Sequence, residues 1–106
     1  MMLIVFRSKL TDGDREGYAR MAAAMDAHAR TFDGFVEAKS FLADDGERLT
    51  LVWWRDAASL KVWAEDARHR VAQQLGRERW YEYYKLDVAE IVRVSNFERP
   101  AHVGAG

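Results

Sequence analysis

Residues Phe35 to Trp54 read F-V-E-A-K-S-F-L-A-D-D-G-E-R-L-T-L-V-W-W, and they give the strongest indication of the fold. Phe35 to Ala43 and Arg48 to Trp54 are short runs of apolar and aromatic residues, a composition that favours strands. Asp44-Asp45-Gly46 between them is a turn signal, so the two runs are predicted to form an antiparallel hairpin.

The segment before the hairpin predicts a strand followed by an amphipathic helix. Met2 to Ser8 is apolar and β-branched, which is typical of a buried strand. Asp33-Gly34 is expected to end the helix, because glycine readily adopts the left-handed conformation at that position. The apolar stripe of the helix steps by three and four residues and comprises Tyr18, Met21, Met25, His28 and Phe32. Its candidate N-caps are Thr11, Asp12 and Asp14.

The segment after the hairpin predicts a second helix and a last strand. Asp56 is expected to cap this helix and Gly76 to end it. Its apolar residues are Leu60, Trp63, Ala67, Val71 and Leu75. Tyr83 to Phe97 alternates and is predicted to be a long strand. Residues 98–106 show no apolar period, so we expect a loose tail after a single domain over residues 1–97.

The resulting order, β-α-β-β-α-β, indicates an α+β fold of the ferredoxin-like kind, with an antiparallel sheet and both helices on one face. On the third strand, however, Leu49, Leu51 and Trp53 point one way and Val52 and Trp54 the other. Both faces are therefore apolar, although the helices cover only one. We expect a homodimer in which the uncovered faces of two sheets pack together.

Composition excludes several classes of protein. The chain has 106 residues, a formal net charge of -1 and no cysteine. The scattered basic residues give no reason to expect nucleic acid, and no run is long enough to cross a membrane. Neither a zinc-ligand spacing nor a glycine-rich phosphate loop appears. A cytoplasmic location is expected because the sequence shows no targeting signal.

Residues Trp63 to Tyr84 carry the candidate chemistry. His69 titrates near neutrality and is a candidate base or metal ligand, although a surface histidine on a charged helix face is the alternative. On one continuous helix the side chains of Trp63 and His69 would diverge by about 120°. A break in the helix near Ala67 would let both face one cavity.

Four further residues are candidates for the same site. His28 is either a histidine satisfied by a backbone carbonyl or a second base. Trp80 and Tyr84 are expected either to pack in the core and dimer interface or to line a cavity for a planar ligand. Arg7 either ends a strand in solvent or neutralises an anionic ligand.

The stretch W-W-R-D-A-A-S-L-K-V-W-A-E-D-A-R-H-R-V-A-Q-Q-L-G-R-E-R-W-Y-E-Y-Y, followed by V-A-E-I-V-R-V, resembles the antibiotic biosynthesis monooxygenase family. The opening V-F-R-S-K-L-T and the D-G-F after the first helix fit as well. The resemblance implies a dimeric α+β barrel built from ferredoxin-like subunits, in agreement with the two-faced sheet.

The resemblance also implies a function. Some members of this superfamily oxidise small anthrone- or quinol-like aromatic compounds with O2 and without a cofactor. His69 would then be the base or a hydrogen-bond partner of the substrate, with His28 as the alternate. Arg7 would stabilise an enolate oxygen, and the cavity would be lined by Trp63, Trp80 and Tyr84. Other members degrade haem with an Asn, a Trp and a His, the His being the axial ligand. Trp63 and His69 would correspond to the Trp and the His. A third possibility is a non-enzymatic dimer that binds a small ligand.

Overall fold

The computed structural model describes residues 1–101 as a four-stranded sheet with helices on one face. The strands are β1 (Met2–Leu10), β2 (Phe35–Leu42), β3 (Arg48–Trp54) and β4 (Tyr81–Glu90), and the helices are α1 (Arg15–Ala29), α2 (Ala57–Ala64) and α3 (Ala67–Leu75). A π-helical turn, Gly76–Trp80, leads from α3 into β4. The strand order is β2-β3-β1-β4 and all pairs are antiparallel. The predicted ferredoxin-like fold is confirmed.

The core lies between the helices and one face of the sheet. Ile4 on β1 and Trp54 on β3 are buried there against Ala29 of α1 and Trp63 of α2. Phe32 packs edge-on against both tryptophan rings, with centroids 6.3 Å and 5.2 Å away. Burial of such large rings supplies much of the stability of a small domain.

The opposite face of the sheet is apolar, as the alternation of β1 and β3 predicts. Strand register pairs Leu3 with Trp53 and Val5 with Leu51. All four side chains remain half-buried and none belongs to the core cluster. Within residues 1–101 the helices pack on the other face, so this one stays uncovered in a single copy of the chain.

Two predicted boundaries were wrong. α1 ends at Ala29, and Gly34, with φ of 90°, instead turns the chain into β2. A side chain at Gly34 would overlap the Ser59 side chain. α3 ends at Leu75 with Gly76 as its C-cap, as predicted, and Gly76 keeps a helical φ of -60° as it begins the π-helical turn. The last strand starts at Tyr81 and ends at Glu90.

The segment after Glu90 has no regular secondary structure as far as residue 101. Its first peptide group still continues the sheet, because the Ile91 N–H donates to the Met1 carbonyl at 2.9 Å. Of the predicted tail, residues 102–106 lie outside the described part of the chain. No helix in the described residues is long and apolar enough to cross a bilayer.

Candidate functional site

A break between α2 and α3 builds the site. Asp66 has an extended backbone, with ψ of 134°, and its side chain accepts a hydrogen bond from the His69 N–H as the N-cap of α3. The direction of the helix therefore changes at Glu65 and Asp66. As a result, the rings of Trp63 and His69 lie 4.5 Å apart between centroids, with 31° between their planes. The prediction that a break lets these two side chains share one place is confirmed.

The two rings face a cavity of about 340 Å³ between the helices and the sheet. Trp63, His69 and the predicted Tyr84 all line it. Its other aromatic and large apolar lining residues are Ile4, Phe6, Tyr18, Met21, Met25, Val52, Tyr81 and Leu86. The polar lining is sparse and includes Asp26, Ser40, Thr50 and Gln73. An apolar cavity with few convergent polar groups is the usual form of a small-molecule site.

His69 contributes an imidazole ring to the cavity lining. Burial lowers its pKa below the ordinary value of 6.5, and this effect outweighs the Ala64 carbonyl and the Asp66 carboxylate, which favour the protonated form. Its Nδ1 atom is inaccessible and has no hydrogen-bond partner within the described residues. The Nδ1 edge of the ring is therefore closed to a ligand. A neutral imidazole in such a place is suited to accept a proton.

Tyrosine rings form the end of the cavity nearest β4. Tyr81 lies edge-on to Phe6 at 5.6 Å and to Tyr18 at 5.9 Å. Tyr84 lies 5.5 Å from Phe6 and accepts a hydrogen bond from Arg77 Nη1 at 3.1 Å. Burial, reinforced by the neighbouring Tyr18, raises the pKa of Tyr81 above the ordinary value of 10.0. Tyr81 thus keeps its proton and remains a potential hydrogen-bond donor.

His28 lies beside the cavity rather than in its lining. Its Nε2 atom is 3.0 Å from Asp66 Oδ1, and its ring is 5.7 Å from Trp63. The sequence suggested a backbone carbonyl as the partner or a role as a base facing the ligand. The structure instead gives His28 a carboxylate partner, which is supplied by the break between α2 and α3.

Trp80 and Arg7 lie away from the cavity, contrary to the expectation from the sequence. Trp80 is buried, and its Nε1 atom donates to Asp14, the N-cap of α1, at 3.1 Å. Arg7 follows the uncovered face of the sheet and binds Glu47, with Nε and Oε1 2.8 Å apart. Glu47 also accepts a hydrogen bond from Tyr83. The side chains of Trp80 and Arg7, which were expected to contact a ligand, therefore form structural contacts within the fold.

Comparison with known proteins identifies the family. The family model described as antibiotic biosynthesis monooxygenase matches residues 1–75, which include Trp63 and His69. The uncharacterized protein YqjZ of Bacillus subtilis is 30% identical over 95 residues, covering 90% of this chain and 82% of YqjZ. The chain belongs to the antibiotic biosynthesis monooxygenase family.

Other matches of this family member bear names that specify an activity. Jasmonate monooxygenase ABM of Pyricularia oryzae is 30% identical over 110 residues, covering 99% of this chain. The match covers 51% of that relative, so the chain spans about half its length. The structure of SnoaB, a cofactor-independent oxygenase from Streptomyces nogalater, superposes with a TM-score of 0.73 at 13% identity, covering 88% of this chain and 94% of SnoaB. At this identity the likeness shows the fold alone.

Several residues of this family member's cavity were not singled out from the sequence as ligand contacts. Phe6 and Tyr18 lie far from His69 in sequence, and Met21 and Met25 belong to the apolar stripe of the predicted first helix. Tyr81 follows Trp80 directly, but its position beyond Gly76 gave no indication of where its ring points. Within residues 1–101 no group of three or more histidine or acidic side chains is arranged to hold a metal ion.

Proposed function

We propose that this chain is a monooxygenase that oxidises a small, planar, quinol-like aromatic compound with O2 and uses neither a metal nor a flavin. Membership of the family and the monooxygenase names of its relatives support the reaction class. The observation that carries the proposal is the placement of His69 against Trp63 in an apolar cavity.

The cavity suits a small ring compound. Its volume of about 340 Å³ is near the lower end of the roughly 300–1,000 Å³ typical of ligand pockets. Trp63, Phe6 and Tyr84 offer aromatic surfaces to a flat substrate, and a bound ring compound would displace water from the methionine and aliphatic side chains. A water-poor site strengthens the interactions of a substrate anion with nearby dipoles.

His69 is proposed as the catalytic base. The substrate supplies an acidic hydroxyl or ring CH₂ group, and Nε2 accepts its proton. The resulting anion is electron-rich enough to transfer an electron to O2, after which the two radicals combine into a peroxide. Because burial favours the neutral imidazole, His69 is ready to accept a proton at neutral pH.

The reaction balances without a further reductant. For a ring CH₂ group, R₂CH₂ + O2 gives R₂C=O + H₂O, so the substrate provides all four electrons. One oxygen atom enters the product and the other leaves as water. Tyr81 and Tyr84, which line the cavity, are proposed to donate hydrogen bonds to the substrate oxygen, in place of the enolate-stabilising Arg7 that was expected from the sequence.

Oxygen consumption tests the proposal. The protein is mixed with a soluble anthrone or hydroquinone in an oxygen electrode, and the product is analysed after reaction under ¹⁸O₂. We expect catalysed O2 uptake and one labelled oxygen atom per product molecule, with no turnover under argon. Turnover under argon, or substrate binding without O2 uptake for all compounds of this class, would refute the proposal and leave a ligand-binding protein.

Haem, the alternative predicted from the sequence, is examined with the same preparation. The haem-degrading members use an asparagine, and the cavity-lining residues include none. The fit of the site to haem is therefore incomplete. Titration with haemin is expected to give no Soret shift that depends on His69, whereas a stoichiometric shift lost in His69→Gln would favour haem.

We also propose that two copies of the chain pair through the uncovered face of the sheet. Leu3, Val5, Leu51 and Trp53 form an apolar patch that is too continuous for a solvated sheet face. Sedimentation at micromolar concentration is expected to give a dimer, and Leu51→Glu a folded monomer. A monomeric wild-type chain would contradict this proposal without affecting the cavity.

A further inference from the structure

One carboxylate oxygen joins two helices beside the site. Asp66 Oδ1 accepts the His69 N–H at 3.1 Å and lies 3.0 Å from His28 Nε2. The first contact belongs to the beginning of α3 and the second comes from α1. Asp66 thus connects the helix that carries His69 to a helix that is 38 residues away in sequence.

The charge state of this group is defined by its contacts. Burial raises the pKa of Asp66, but the hydrogen bonds from the His69 N–H and from His28 together outweigh it, and the pKa is lowered below 3.8. Asp66 is therefore a carboxylate at neutral pH. Since a carboxylate only accepts hydrogen bonds, Nε2 of His28 must carry a hydrogen.

The geometry of the cavity depends on the break that Asp66 forms. Without the break, the side chains of Trp63 and His69 would point about 120° apart around one helix axis. With it, their rings are in contact at 4.5 Å. The His28 ring also packs on Trp63 at 5.7 Å and on Phe32 at 5.0 Å, so it holds Asp66 from a rigid position.

We propose that Asp66, held by His28, is the positioning residue of the site, because its Oδ1 atom fixes the break that brings the His69 ring against Trp63 and into the cavity. Neither residue lines the cavity, so neither is expected to contact substrate. The kinetic consequence rests on the proposed function of His69 as the base. The geometric consequence does not depend on any activity.

Two charged or titratable side chains act on the pKa of His69: Asp66 at the break favours imidazolium, and His28 on α1 opposes it. Asp26 of α1 and Lys39 of β2 are charged residues that line the same cavity. Replacement of Asp66 by asparagine would keep a good N-cap and an oxygen acceptor for His28, but would remove the negative charge. Replacement by alanine would remove the cap, the acceptor and the charge together.

NMR of the histidine rings measures the geometry directly. The His69 signals are assigned by their loss in His69→Gln, and the ring current of Trp63 displaces them upfield. We expect Asp66→Ala to abolish this displacement and Asp66→Asn to keep it. His28→Ala should reduce it, which provides a second test if Asp66→Ala does not fold.

A matched control separates this role from the general loss of a helix cap. Asp56 caps α2 in the same manner, with the Ser59 N–H 2.8 Å from its Oδ1 atom. Asp56→Ala is therefore expected to leave the His69 signals in place. Retention of the upfield displacement in a folded Asp66→Ala or His28→Ala protein would overturn the proposal.

Kinetics supply a second readout. With a substrate that the wild type oxidises, Asp66→Ala is expected to lower kcat by on the order of 10²-fold and change KM much less, because the base is misplaced. Asp66→Asn should restore most of kcat and move the acid limb of the pH profile to lower pH. Unchanged kcat in Asp66→Ala would contradict the proposal, whereas absence of activity in the wild type would count against the proposed function and leave the NMR result decisive here.

Discussion

Gly76→Ala gives a sharp test of the packing around the cavity. Gly76 has helical backbone angles, with φ of -60° and ψ of -46°. Helix propensity alone would make alanine more stable than glycine by about 1 kcal/mol. In this structure, however, an added Cβ would overlap Tyr81 Cε2 and lie 2.7 Å from Cδ2. The Tyr81 ring would have to shift by roughly 1 Å to restore ordinary carbon contact.

The steric effect is expected to exceed the gain in propensity. Overpacking of this kind typically costs 1–3 kcal/mol, and we expect a contact this short to cost about 3 kcal/mol. The net loss of unfolding free energy is then about 2 kcal/mol, which for a chain of this size lowers Tm by about 9 °C. Because Tyr81 lines the cavity, affinity for an aromatic ligand should fall as well.

Thermal unfolding by circular dichroism measures the effect, and Gly13→Ala is the matched control. The nearest atom to a Cβ at Gly13 is Thr11 Oγ1 at 4.0 Å, so this change is expected to be neutral or slightly stabilising. If Gly76→Ala left Tm unchanged or raised it, as is expected for Gly13→Ala, the close approach of Tyr81 to Gly76 would be refuted.

Three other outcomes follow from the same structure. Trp63→Ala should reduce the free energy of unfolding, measured by urea titration, by about 3–5 kcal/mol, because the ring is buried among four aromatic neighbours. The adjacent Val62 is exposed, so Val62→Ala should change this free energy by less than about 0.5 kcal/mol. The pKa of Asp56 is lowered to about 2 by the backbone and side chain of Ser59. Its contribution to stability is therefore complete above the unfolded value of about 3.9 and is lost as pH falls towards 2, so Asp56→Asn should flatten the fall of the urea midpoint over that range. Because burial lowers the pKa of His69, the acid limb of kcat/KM should lie below pH 6.5, and a limb above that value would contradict the environment described for the ring.

The fold was predictable because local patterns and overall topology agree. β3 runs from Arg48 to Trp54 as predicted, since its alternation and the turn before it leave one register. β4 was predicted too long, because alternation reports side-chain environment but not the presence of a partner strand. Its ladder with β1 reaches only as far as Met2 and Glu90.

The site was predictable only in part. Trp63 and His69 were expected to meet if the helix broke, and the E-D pair before Ala67 gave a local reason for the break. The contact between His28 and Asp66 had no signal in the sequence, because 38 residues separate the two and each has an ordinary local role. Gly76 ends α3 as predicted, but the close approach of the Tyr81 ring to it had no signal in the sequence.

The proposed monooxygenase activity depends most on His69 acting as the base in the cavity. The most direct test compares kcat for wild-type and His69→Gln with one hydroquinone, and measures binding of a non-oxidisable phenol to both. Arg70→Gln, on the exposed side of the same helix, is the control. We expect His69→Gln to lose on the order of 10²–10⁴-fold in kcat with nearly unchanged binding, and Arg70→Gln to behave as the wild type. Full activity of His69→Gln would contradict the role of His69 as the catalytic base.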